Sequence, residues 1–148
     1  MSRENVELVR SLIPEQVDLV RAFSGGIEAL AAAFAGLLDK MAPDAEIVFV
    51  PVAPGNPGAD YQGLEGLIEG WRDWLAPWEC YVIELEELMD AGNSVVALVN
   101  MRARTEHGGV EMEQQGATIW TVGKGKIVRM SFHLDRRDAL ARAGVEEP

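Results

Sequence analysis

The sequence predicts an α+β protein, with helices packed on one face of a strongly bent antiparallel sheet. Three observations carry this. Apolar residues recur at helical spacing through the first half, as in Val6, Val9 and Ile13 set against Arg3, Glu7 and Arg10. Long strand-like runs then follow one another, joined by Asp90-Ala91-Gly92-Asn93, Glu106-His107-Gly108-Gly109 and Gly123-Lys124-Gly125, all of hairpin-turn composition. A short helical segment closes the chain and stops at Gly144, the residue type that ends many helices.

The elements fall in this order. A first helix covers 3–12, and Pro14 is placed to open a second over 14–23, which Ser24-Gly25-Gly26 breaks. A third, rich in Ala and Leu, spans about 27–40 and reads as largely buried. Met41-Ala42-Pro43-Asp44 reads as a loop, and 45–51 as a short strand with Ile47 and Phe49 on one face. The stretch 52–60 holds prolines and glycines and reads as a flexible loop at a pocket rim. A helix over 64–76 carries Leu67, Ile68, Trp71, Trp74 and Leu75, and Pro77 ends it. Strands follow at about 79–89, 94–106, 110–122 and 126–135, then the helix at 136–143.

At 148 residues the chain reads as one domain, 1–148, long enough to bury a real core. Hydrophobic residues make up 48% and charged residues 25%, ordinary for a soluble globular protein. No stretch of about 18 apolar residues suggests a membrane span, and the first residues, Met1-Ser2-Arg3-Glu4-Asn5, lack the apolar core of a signal peptide. A cytoplasmic location is expected. The net charge of −11 argues against nucleic acid and anionic membranes as partners, because both recruit Lys and Arg. Cys80 is the single cysteine and is expected to fill a core position. His107 and His133 show no zinc spacing, and no phosphate loop or dinucleotide fingerprint is present, so neither metal nor cofactor is expected.

Several local motifs, in their order and spacing, resemble the SnoaL-like branch of the NTF2-like superfamily. They are residues 2–10 at the start, Ala42-Pro43-Asp44-Ala45-Glu46-Ile47, Tyr61-Gln62-Gly63-Leu64-Glu65-Gly66 leading into a helix, the hairpin Asp90-Ala91-Gly92-Asn93, and Phe132-His133-Leu134-Asp135-Arg136. The resemblance implies an NTF2-like cone, a cystatin-like α+β barrel with a deep pocket, and commonly a homodimer through the outer sheet face. It does not imply one chemistry, since relatives include polyketide cyclases, ketosteroid isomerases and epoxide hydrolases.

The same resemblance turns the face of the last strand that bears His133 and Asp135 toward the pocket. There Asp135 is a candidate acid/base residue and His133 its partner, able to take a proton near neutral pH. Asp135 is also a favoured type for capping the next helix, and His133 for a plain strand position. Arg102, or Tyr61, would orient a substrate or hold an oxyanion; on the outer face Arg102 would instead be solvated. Trp74 and Trp120 supply aromatic wall, and Gln114 and Thr118 share a strand face with Trp120. The chain departs from two known patterns. Arg102-Ala103-Arg104 stands where epoxide hydrolases carry Arg-x-Asp, and neither Tyr61 nor Tyr81 sits as an isomerase tyrosine does. The expected function is a cofactor-independent, cyclase- or isomerase-like enzyme acting on a small apolar carbonyl compound. The alternative is a non-catalytic protein that binds a small hydrophobic ligand.

Overall fold

A computed structural model describes residues 2–34, 36–50, 59–106 and 109–144. Residue 51 of the expected strand, residues 52–58 of the expected rim loop, His107 with Gly108, and the tail from 145 lie outside the described residues. The described elements are α1 (Ser2–Leu12), β1 (Gln16–Asp18), α2 (Leu19–Ser24), α3 (Gly26–Ala33), α4 (Leu37–Lys40) and β2 (Met41–Val50). They continue with β3 (Ala59–Gln62), α5 (Gly63–Leu75), β4 (Trp78–Ala91), β5 (Ser94–Thr105), β6 (Glu111–Gly123), β7 (Lys126–His133) and α6 (Arg136–Ala143).

The strands form a 7-stranded sheet in the order β1-β4-β5-β6-β7-β2-β3. The long β4–β7 meander matches the sequence reading. Elsewhere the sheet extends further than expected and is mixed, because β2 runs parallel to β7 (Ile47 opposite Met130, Phe49 opposite Phe132). The expected 14–23 helix starts only at Leu19. Residues Gln16–Asp18 instead pair with β4, and Asp18 then caps α2 by accepting from the Val20 N–H at 3.1 Å. The expected 27–40 helix is cut at Gly36, whose φ of 85° lies in the left-handed region that side chains disfavour. Met41–Asp44, expected as loop, already belongs to β2, with an irregular register between Met41 and Glu46.

The apolar run on β5 is buried on both faces, which explains its lack of alternation. Val95, Ala97, Val99 and Met101 face the concave side and join Trp71, Trp120 and Met130 in the main core. Val96 and Leu98 face the convex side and pack with Ala117, Ile119, Ala139 and Leu140 beneath α6. Arg136 fastens that helix down. It donates to the Gly116 carbonyl at 3.2 Å, to the Val99 carbonyl at 2.9 Å, and to Glu86 at 3.2 Å, touching three strands. The approach there is close: a Cβ on Gly116 would lie 2.5 Å from the His133 carbonyl oxygen.

Candidate ligand-binding cavity

The concave face of the sheet and helix α5 enclose an aromatic cluster. Phe49 meets Trp71 edge-on at 5.1 Å, stacks on Trp74 at 5.8 Å and touches Phe132 at 5.1 Å. Trp71 meets Phe132 at 4.8 Å. These offset and edge-to-face geometries are the favoured ones for aromatic pairs. Strand alternation places the partners: Phe132 and Met130 project inward from β7, and Thr118 and Trp120 from β6.

Two voids remain between these side chains. One, of about 20 Å³, lies among Phe49, Trp74, Tyr81 and Met101. The other, of about 50 Å³, lies among Phe34, Leu37, Leu67, Trp120 and Met130. Trp71, Ile83, Val99, Thr118 and Phe132 line both. By size the first holds one water and the second a few. The polar groups here are few. Trp74 Nε1 donates to the Tyr81 hydroxyl at 3.2 Å, and that hydroxyl lies 3.3 Å from Met101 Sδ. Burial raises the Tyr81 pKa, so the phenol stays protonated. Trp120 Nε1 is buried with no hydrogen-bond partner among the described residues.

A family model for the SnoaL-like domain matches residues 18–130. The chain belongs to the SnoaL-like family. Solved structures agree on the fold. An NTF2-like protein from Burkholderia thailandensis E264 is 21% identical, with a TM-score of 0.61 over 97% of this chain and 98% of that one. A candidate SnoaL-like polyketide cyclase from Jannaschia sp. CCS1 is 19% identical, with a TM-score of 0.60 over 99% and 95%. TerC, co-crystallised with polyporic acid, is 19% identical, with a TM-score of 0.58 over 92% and 96%. No curated protein matches the sequence.

Within this SnoaL-like cone the residues singled out from sequence separate into two groups. Trp74, Thr118 and Trp120 line the interior voids. Tyr61, Arg102 and Gln114 do not. Tyr61 lies in β3 and donates its hydroxyl to Asp73 at 3.1 Å on the exposed side. Gln114 donates to the Leu134 carbonyl at 2.7 Å. Arg102 is exposed on the convex face, ion-paired with Glu84, while its neighbour Arg104 pairs with Glu79 at 2.9 Å. Both arginines border an open groove of about 540 Å³ with Glu111, Glu113 and Cys80. Cys80 is therefore half-exposed on the outer face rather than a core residue.

The structure does not bring Asp135 and His133 together on the cavity side. Asp135 is exposed, and its carboxylate accepts from the backbone N–H groups of Arg137 (3.0 Å) and Asp138 (3.3 Å), the N-cap of α6. His133 borders the smaller void, but its ring lies with Ser131 on the convex face, under α6. Its pairing opposite Ala117, part of the cluster beneath that helix, fixes the side. Nε2 bonds the Ser131 hydroxyl at 2.8 Å, and Nδ1 is buried without a partner among the described residues. At 4% exposure, the ring is held neutral. Burial first, then the Arg142 charge, outweigh Asp138 and lower its pKa to about 4.

Sequence reasoning set Tyr81 aside, yet its hydroxyl is buried beside the smaller void. Its signal was present: Tyr81, Ile83 and Leu85 alternate with Val82, Glu84 and Glu86 on β4.

Proposed function

We propose that this SnoaL-like protein is a small-molecule pocket protein, whose cone interior takes a small, mostly apolar ligand. The observation that carries this reading is the pair of adjoining voids, with five wall residues in common, inside an otherwise close-packed aromatic cluster. Anything larger than water requires that common wall to give, and Phe132 is its half-buried member. The test fills the space. Val99→Phe should leave the fold intact and abolish binding of a single-ring aromatic probe followed by calorimetry. Unchanged binding would place the ligand elsewhere.

A second reading, cyclase- or isomerase-like catalysis on a small carbonyl compound, draws on the similarity to the Jannaschia protein and on His133 bordering the smaller void. It keeps Asp135 as acid/base residue and His133 as its partner, and it requires α6 to shift so that both reach the interior. The binding reading is preferred because it asks only the side chains of the common wall to give, not a helix to shift. We also read the convex face of β4–β6 as the surface through which two copies pair, following the family resemblance. Sedimentation of Arg102→Glu against the parent chain tests this, a dimer in both ruling the surface out.

A further inference from the structure

We infer that the Trp120 indole N–H is the hydrogen-bond handle of the cone interior, and that the ligand is a neutral, flat, apolar molecule bearing a carbonyl-type acceptor. This rests on the pocket reading above and narrows its ligand class.

Trp120 is 5% exposed, walls the larger void, and its Nε1 has no acceptor among the described residues. Of the three indoles beside the voids, Trp74 has its N–H satisfied by Tyr81, and Trp120 rather than Trp71 is the one whose N–H is buried without a partner among the described residues. Buried N–H groups are nearly always paired, because a donor stripped of water and left unmade bears its whole desolvation penalty. An acceptor arriving from outside the chain removes that penalty. The indole donates only, so the arriving group must accept. Thr118 sits two residues earlier on the same strand face and lines both voids, adding a hydroxyl-bearing side chain to their wall.

The rest of the larger void is carbon. Ile13, Val17, Leu19, Phe34 and Leu37 face it, with no charged side chain among its described lining residues. A carboxylate or ammonium would be buried there without a counter-charge, which is strongly unfavourable. The acceptor is therefore a neutral oxygen, as in a ketone or quinone. Trp71 and Phe132 give flat walls suited to a ring.

Three single-ring probes separate these features: acetophenone, its isostere cumene, and benzoate. Calorimetry should show acetophenone and cumene binding the parent chain and benzoate failing. In Trp120→Phe, acetophenone should weaken by about fivefold to tenfold while cumene stays within about twofold. The acetophenone carbonyl stretch should move to lower wavenumber on the parent chain and return in the variant. Should Trp120→Phe not fold, the stretch on the parent chain alone decides. Equal losses for acetophenone and cumene, an unshifted carbonyl, or benzoate binding as well as acetophenone would overturn the inference while the pocket stands. If neither neutral probe binds and only water occupies the void, the pocket reading itself falls.

Discussion

The two faces of β7 are built to opposite ends. Toward the interior, Met130 and Phe132 meet aromatic rings and border space the protein does not fill. Toward α6, Ser131 and His133 are buried and bond each other, with Asp135 spent on the cap of that helix. The face richer in polar residues is the closed one. The lesson is that polar side chains on a strand mark a site only if they reach open volume. Here the voids between side chains lie on the apolar side, and the Trp120 indole N–H and the Thr118 and Tyr81 hydroxyls are among their few polar groups.

The largest expected break of this contrast is on the interior. Trp71→Ala removes the ring that touches Phe23, Phe49, Tyr81 and Phe132. Large-to-small core changes of this type cost about 3–5 kcal/mol, so denaturant titration should find the variant barely folded at room temperature. A loss below about 1 kcal/mol would mean the cluster is loosely packed.

The closed face should reveal itself through pH. His133 is neutral when folded, with its pKa lowered from 6.5 to about 4, whereas the unfolded chain binds a proton near 6.5. Its contribution to stability is thus complete above pH 6.5 and fades as pH falls from 6.5 toward 4. The full loss is about 3 kcal/mol. Chemical denaturation across that range should give a steep slope in the parent chain and a shallower one in His133→Gln. Parallel slopes would contradict the buried, neutral ring.

The smallest effect sharpens the role of Asp135. As a cap, Asp135→Ala should cost about 1 kcal/mol, and Asp135→Asn much less, because Asn caps nearly as well. Neither should alter probe affinity. Turnover of a carbonyl substrate that Asp135→Asn silences at unchanged stability would instead favour the catalytic reading.

The fold was legible because hydrophobic period and turn chemistry agree along 78–133, where packing obeys local pattern. The departures are places where long-range pairing decides. Gln16–Asp18 and Ala59–Gln62 become strands because β4 and β2 offer edges to them, and residues of ordinary helix or loop type give no local sign of that. The site was legible only in part. Thr118 and Trp120 follow from alternation once one face of β6 is known to be inward. The side on which Asp135 and His133 lie was not legible, because a strand pattern separates two faces without saying which one is open. Helix α6 covering the convex side is a tertiary fact, held by Arg136 reaching the carbonyls of Val99 and Gly116.

The most direct test of the central claim, that the working side of this sheet is the interior, is an amide and indole shift map during titration with acetophenone. The largest changes are expected at the Trp120 indole, Thr118 and Val99, with the amides of Asp138, Ala139 and Leu140 in α6 unmoved. Shifts centred on Asp135 and α6, with the Trp120 indole unmoved, would contradict it.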